Sequence, residues 1–186
     1  MTKKIAAMFP LPPTVVRTPR LELRAARREH AASFFSEYTG RLDASRYLQR
    51  DVHLSQDQTE SVIQACGEDS WTTTSRFAWS IAPQTEAWAV GLFFMFVTGN
   101  AAEIHYGLGP AFWGQGFATE AGSAIMGWIV NQSDLSEVAT SCAVQHLASQ
   151  RVLEKIGLRR GQLHPAALLS KSTREIMDAW SYTWQR

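Results

Sequence analysis

The 186-residue chain balances 18 Lys and Arg against 17 Asp and Glu, a net charge of +1, and so lacks the basic excess of a nucleic-acid-binding protein. Its hydrophobic content of 45% and charged content of 19% are those of an ordinary globular chain, long enough to bury a substantial core. Two cysteines, Cys66 and Cys142, have no metal-ligand spacing and fit a reducing compartment, and no apolar run approaches the ~20 residues of a membrane span. Together these features point to a cytoplasmic protein with neither nucleic acid nor a membrane as partner and with no metal, and they leave a homodimer open.

Residues 1–17 read as a Pro-rich arm. Its start, 1–13, faintly imitates a secretory signal, but the apolar run is short and broken by Pro10. Thr18-Pro-Arg-Leu-Glu-Leu-Arg-Ala25 alternates and predicts a first strand, followed by a helix from Arg28 to Tyr38 that Gly40 stops. A second helix is predicted over about 57–65, closed by Gly67. Arg76 to Ala82 alternates as a strand ended by Pro83, and the apolar run Ala87–Val97 predicts a strand covered on both faces. After a Thr98-Gly-Asn100 turn comes a strand over 102–109, with Ile104, Tyr106 and Leu108 on one face and Glu103, His105 and Gly107 on the other.

A helix over about 118–130 leads past Asn131-Gln-Ser133, which has the form of a glycosylation sequon and is read as chance in a cytosolic chain. A short strand, 137–142, precedes a helix over 147–155 with Gly157 as its stop. Two last strands are expected near 159–163 and 175–184. No repeat or linker divides the chain, so 18–186 is expected to be a single domain of α/β class, a mixed sheet with helices on both faces.

Half of the 12 glycines fall between Gly107 and Gly127. Between the strand and the helix, Gly114-Gln115-Gly116-Phe117-Ala118-Thr119 allows close main-chain approach by a ligand. The helix that follows offers unpaired N–H groups and the positive end of its dipole, so the joint is suited to a phosphate. The competing reading is that these glycines only let strand and helix pack tightly. A dinucleotide fold would want G-x-G-x-x-G after the first strand of a βαβ unit, whereas this turn ends in Thr and follows a meander.

The strand, then Gly114-Gln-Gly116-Phe-Ala-Thr-Glu120-Ala, then Ala148-Ser-Gln-Arg-Val-Leu-Glu-Lys-Ile-Gly157-Leu resembles the GCN5-related N-acetyltransferase (GNAT) superfamily. The opening Thr-Pro-Arg-Leu-x-Leu-Arg (18–24) and the closing Asp178-x-x-x-Tyr182 are most similar to its ribosomal-protein N-terminal acetyltransferase (Rim-type) branch. The resemblance spans roughly 18–184. It implies a mostly antiparallel GNAT-like sheet and acetyl-CoA as co-substrate, its pyrophosphate on the amides of about Gly114 to Thr119. The pantetheine arm would pair with the strand edge near Leu108, like an added strand. The superfamily often has Gln or Arg three residues before the first glycine, where this chain has Ala111.

Acetyl transfer needs a neutral amine, donors for the oxyanion and a proton for the departing thiolate. Glu103, on the strand the cofactor should flank, is the candidate base, directly or through a water. Its alternative is a salt bridge or a half-exposed sheet position. His105 on the same face is either a partner in that role or a hydrogen-bonded sheet histidine. The oxyanion would meet an N–H near Leu108. Many superfamily members carry a Tyr acid in the last helix, and this chain has Leu153 in its place. Ser149 fits the position of the substitute proposed in Rim-type proteins, or else caps the helix.

The Asn that often precedes this Ser by three is His146 here, a candidate cofactor contact. Cys142 reads as a small buried hydrophobe, Glu120 as a complement to the helix dipole, and Trp113 and Phe112 as groove walls or core aromatics. The acceptor, a protein N-terminus, a small amine or an antibiotic, would enter between the segment 28–67 and the last strand pair. The reading is thus an N-acetyltransferase acting by direct attack in a ternary complex, with a non-catalytic acyl-CoA-binding module as the alternative.

Overall fold

The computed structural model describes residues 10–86 and 88–186; the signal-like first nine residues and the predicted strand start at Ala87 lie outside the described residues. Eight strands form one sheet in the order β1-β2-β3-β4-β5-β6-β8-β7. In chain order the elements are β1 (Val15–Arg17), β2 (Leu21–Ala25), α1 (Ala31–Phe34), α2 (Leu42–Ser45), α3 (Gln56–Cys66), β3 (Arg76–Pro83), β4 (Gly91–Thr98), β5 (Ala101–Leu108), α4 (Phe117–Gln132), β6 (Glu137–Ala143), α5 (Leu147–Lys155), β7 (Arg159–Leu169) and β8 (Ile176–Gln185). Every pairing is antiparallel except β5–β6.

Three departures from the sequence reading have plain causes. The strand expected over 18–25 begins only at Leu21, because the Thr18 hydroxyl accepts from the Leu21 N–H and Pro19 turns the chain, with a separate short strand before it. The arm therefore ends earlier than residue 17: Val15–Arg17 is an edge strand, and Pro13 O accepts a hydrogen bond of 2.8 Å from the buried Trp79 Nε1. The helix expected over 28–38 is broken into a 3₁₀ turn at Arg28–His30, the short α1 and a π-turn at Phe35–Thr39, where the Thr39 hydroxyl donates to Phe34 O at 3.1 Å. Finally, β7 runs to Leu169 rather than stopping near 163, with two irregularities along it.

The sheet is apolar on both sides. On one face Ile104, Leu108, Val138, Cys142 and Tyr182 pack with α4 and α5, above a ring cluster of Trp71, Phe77, Trp79 and Phe93. On the other face Phe34, Tyr38 and Ile63 cover Ala78 and Leu92, with Phe94 and Phe96 against them. Edge-on aromatic pairs of this kind add about 0.5–1.5 kcal/mol each beyond their buried area.

The feature that creates a site is an early parting of strands. β5 and β6 pair only at Ala101–Glu103 with Glu137–Ala139. Beyond Glu103, β6 continues against β8 alone, so a gap opens in the sheet alongside residues 104–108.

Candidate functional site

The gap is lined by main chain. Gly109 N–H donates to Val90 O at 2.8 Å, so in this register the odd-numbered residues of β5 bond to β4. The even-numbered ones, Ile104, Tyr106 and Leu108, therefore turn their N–H and C=O toward the gap. Leu108 O accepts from Trp113 Nε1 at 2.9 Å, which leaves the Leu108 N–H facing the opening. A strand edge of this kind accepts another extended chain.

At the top of the gap lies the glycine loop. Gly114 (φ +74) and Gly116 (φ +80) both sit in the left-handed region that side chains resist, and Gly116 is the residue that starts α4. A Cβ at Gly114 would meet nothing within 4 Å, so this glycine does not serve packing. Among the described residues the N–H groups of 114–119 have no acceptor, while the first bond into the helix runs from Glu120 N to Gly116 O. Gln115 is exposed, Phe117 is buried and anchors the helix, and Ala118 and Thr119 are half-buried on its first turn. The result is a cluster of free donors at the positive end of a 16-residue helix.

A scaffold that the sequence did not disclose holds this loop. Glu120 Oε1 accepts from the Thr18 hydroxyl (2.5 Å) and the Arg20 N–H (2.9 Å), and its Oε2 accepts from Arg20 Nε (2.7 Å). Arg20 also donates to Gln115 O at 2.9 Å and lies over the Phe117 ring. Burial opposes the charge on Glu120, but these hydrogen bonds outweigh it and hold its carboxyl below the usual range. The β1–β2 turn and the glycine loop are thus one unit, joined over about 100 residues of sequence with no local pattern to betray it. Trp113 is half exposed at the loop, and Phe112 packs against the main core.

Across the gap stands the start of α5, pinned to the end of β6 by Gln150 Nε2, which donates to Ala143 O (3.1 Å) and Val144 O (2.8 Å). Ser149 does not cap this helix: the capping position is His146, and no side chain bonds the helix start. Instead the Ser149 hydroxyl lies 2.9 Å from the Tyr106 hydroxyl, which also reaches Ser149 O at 3.1 Å. Cys142, buried, adjoins the same serine; burial lifts its thiol, and the hydrogen bond with Ser149 offsets this only in part. The His146 ring is stacked on Tyr47 at 4.4 Å, and burial pushes it down to about 4, so it is neutral near pH 7. Tyr47 packs against Ala143, Met177 and Ala179, on the face opposite α4, so the ring of His146 is turned away from the glycine loop.

Glu103 and His105 also lie on that opposite face, as alternation requires. Glu103 is exposed and pairs with His105 Nε2 at 2.9 Å, at the point where β5 and β6 part. Three residues of strand separate it from Tyr106, or roughly 10 Å. Toward the other end, a Cβ on Gly107 would lie 2.2 Å from the Tyr38 hydroxyl, so the π-turn lays this ring directly on the strand. Arg50 sits over the Tyr38 ring and donates to Thr39 O and Asp51 O, while its Nη2 is buried with no partner. The Ser172 hydroxyl donates to Ser45 O and Lys171 N–H to Leu48 O, tying the β7–β8 turn to the segment around α2 and roofing this side.

The two faces of the gap therefore differ in kind: free amides and a helix start on one, rings and charged side chains on the other. A family model described as an acetyltransferase (GNAT) domain matches residues 20–159. The chain belongs to the GNAT acetyltransferase family. A Bacillus subtilis (strain 168) relative described as the uncharacterized N-acetyltransferase YnaD is 25% identical over 126 residues, 67% of this chain and 71% of its own. The structure is similar to a GNAT-family acetyltransferase from Bacillus anthracis, with a TM-score of 0.76 at 20% identity over 92% of this chain and 98% of that one. It is equally similar to RimL, a ribosomal L7/L12 alpha-N-protein acetyltransferase solved with coenzyme A, with a TM-score of 0.76 at 20% identity over 92% and 97% of the two chains. These likenesses establish the GNAT fold, a mixed α/β sheet that is mostly antiparallel.

The glycine loop, Leu108 and Ser149 border the gap, while Glu103 lies at its closed end, paired with His105. The sequence reading passed over Tyr106, Tyr38, Tyr47, Arg50 and the Thr18–Arg20–Glu120 brace. Tyr106 was legible as an inward-facing strand residue. That its hydroxyl, otherwise unpaired among apolar neighbours, would reach across to α5 was not.

Proposed function

We propose that this GNAT protein is an acetyl-CoA-dependent N-acetyltransferase that moves an acetyl group to a primary amine by direct attack in a ternary complex. The observation that carries this reading is the set of unaccepted amides at 114–119, at a helix start and beside a strand edge whose Leu108 N–H faces the gap. The pyrophosphate of acetyl-CoA suits those amides, and its pantetheine suits the open edge of β5. When bound, it supplies the thioester carbonyl that is attacked. RimL, of similar fold, binds coenzyme A, which supports the same ligand here.

The amine enters from the face of Glu103, His105, Tyr38 and Tyr47. At pH 7 roughly a tenth of a free α-amino group is neutral, against well under a thousandth of a lysine side chain, so an N-terminal amine demands less of the base than a lysine does. Glu103 lies roughly 10 Å along the strand from the level of Tyr106, so it draws the proton through water or through its partner His105. The nitrogen bonds to the carbonyl carbon, the oxyanion is met by the Leu108 N–H, and the carbon–sulfur bond breaks with its electron pair on sulfur. Ser149 donates a hydrogen bond to that sulfur, and the proton lost by the amine completes the thiol.

Calorimetry with coenzyme A, alongside thiol release from acetyl-CoA across a panel of amines and peptide N-termini, tests this. Submicromolar to micromolar binding together with turnover is expected, with Glu103→Gln lowering kcat by about 10- to 100-fold. Binding without turnover on any acceptor would favour a non-catalytic acyl-CoA-binding module, and no binding would remove both readings.

A further inference from the structure

Leu153 and Ser149 raise a chemical question: an isolated serine hydroxyl is a weak and freely rotating donor for a thiolate. The structure contains an answer. Tyr106, on the strand β5, reaches across the gap to the first turn of α5, its hydroxyl 2.9 Å from Ser149 Oγ and 3.1 Å from Ser149 O. Its ring is fixed by stacking on Phe93, with centroids 6.1 Å apart and planes 17° apart. Burial pushes the phenol well above its ordinary value, opposed only in part by Ser149, so it keeps its proton throughout any working pH.

A phenol has one proton, and here it faces two acceptors. When it donates to Ser149 O, the serine hydroxyl can donate back to the phenol oxygen and is occupied. When it donates to Ser149 Oγ, the serine proton is released and must point elsewhere, with Cys142 and the gap as its surroundings. The second arrangement also polarises the serine hydroxyl, since a hydroxyl that accepts a bond donates a stronger one. Negative charge on a sulfur in the gap selects this second arrangement.

We propose that Tyr106 is a positioning residue which aims the Ser149 hydroxyl at the departing sulfur, and that the pair together replaces the acid missing at Leu153. This rests on the acetyltransferase reading above. No proton leaves Tyr106 in the step: the carbon–sulfur bond breaks with its electrons on sulfur, Ser149 donates a hydrogen bond to it, and Tyr106 donates one to Ser149.

The test compares the unaltered chain with Tyr106→Phe, Ser149→Ala and the double variant, with thermal melting to certify folding. Coenzyme A affinity is read by calorimetry, and kcat and KM by thiol release. Tyr106→Phe is expected to lower kcat by about 5- to 50-fold while the coenzyme A Kd stays within about twofold. The double variant should be no slower than Ser149→Ala alone, because the tyrosine acts only through the serine. Unchanged kcat in Tyr106→Phe, or losses that multiply in the double variant, would overturn the proposal while leaving acetyl transfer intact. If Tyr106→Phe does not fold, 3-fluorotyrosine at 106 takes its place as a stronger donor of the same shape. A kcat that then moves at fixed coenzyme A affinity supports the proposal, and one that does not move overturns it. Absence of coenzyme A binding by the unaltered chain would remove this inference together with the reading beneath it.

Discussion

The two sides of the gap are built on opposite principles. On the α4 side stands main chain: two left-handed glycines, a run of unaccepted amides and a long regular helix behind them. On the α1–α3 side stand side chains carried by irregular backbone, with a 3₁₀ turn, a single α-turn and a π-turn in succession and a roof tied down by loop-to-loop hydrogen bonds. A diphosphate presents the same oxygens in every turnover, so a fixed array of N–H donors suffices. An acceptor amine varies with the enzyme, and only side chains can encode that choice. On the function proposed above, one face specifies a chemistry and the other a partner.

The sharpest way to break this contrast is at Gly114. A Cβ there meets nothing within 4 Å, so the first carbon of a valine side chain finds open space at Gly114→Val, while the positive φ costs roughly 1–2 kcal/mol or more of stability for a β-branched residue. The branched side chain would stand in the space proposed for the diphosphate. Coenzyme A affinity by calorimetry is expected to fall about 100-fold, whereas Tyr47→Ala on the other face should leave it within about twofold and alter only the acceptor KM. Equal losses in the two variants would erase the distinction between the faces.

The mirror-image substitution is Gly107→Ala. Its Cβ would lie 2.2 Å from the Tyr38 hydroxyl and 2.3 Å from the adjoining ring carbon, so the ring must leave the strand and the π-turn must shift with it. Overpacking of this kind costs about 1–3 kcal/mol, seen as a lowered melting midpoint. The acceptor KM should rise about tenfold with coenzyme A affinity little changed. A lowered melting midpoint with both constants intact would show that Tyr38 packs but does not line the acceptor path.

These same contrasts explain how much was legible beforehand. Gly114-Gln-Gly116 and the helix after it announce themselves because their backbone constrains the local sequence: glycine adopts those dihedral angles without strain, and the helical spacing of Ala118, Ala121, Ile125 and Trp128 is a short-range pattern. Ser149 was placed by its spacing in the last helix motif. The region 28–40 misled because its apolar spacing fits one helix, while tertiary contact with Gly107 and the Thr39 hydroxyl bond to Phe34 O rewrite the last turns. Nothing local in the Thr18-Pro-Arg20 turn predicts that Glu120 receives it, since the pairing is fixed by the sheet order bringing β2 near the start of α4.

A smaller effect probes how rigid the amide array must be. Glu120→Gln removes the charge that holds Arg20 Nε and the Thr18 hydroxyl but keeps the size of the side chain. The brace lies outside the gap, so kcat should hold while KM for acetyl-CoA rises about three- to tenfold, and Arg20→Ala should reproduce it. If the two losses multiply in the double variant, the residues act separately and the brace is not one unit.

The smallest expected effect concerns His146. Its pKa is pushed from about 6.5 down to about 4 by burial against Tyr47, so the unfolded chain binds more protons than the folded one between those values. Stability must then be fully present above about pH 6.5 and fall as pH is lowered toward 4, by less than one proton's worth of slope from this residue. His53, lowered to about 4 by burial and by Arg50, falls in the same window, so the whole protein gives the sum and His146→Gln isolates the share of His146. Denaturant midpoints at pH 7 and pH 5 should differ less in His146→Gln than in the unaltered chain. Coenzyme A affinity should be indifferent to the substitution, because the ring faces Tyr47 and not the glycine loop. A loss of that affinity would return His146 to the cofactor side and redraw the boundary between the two faces at the start of α5.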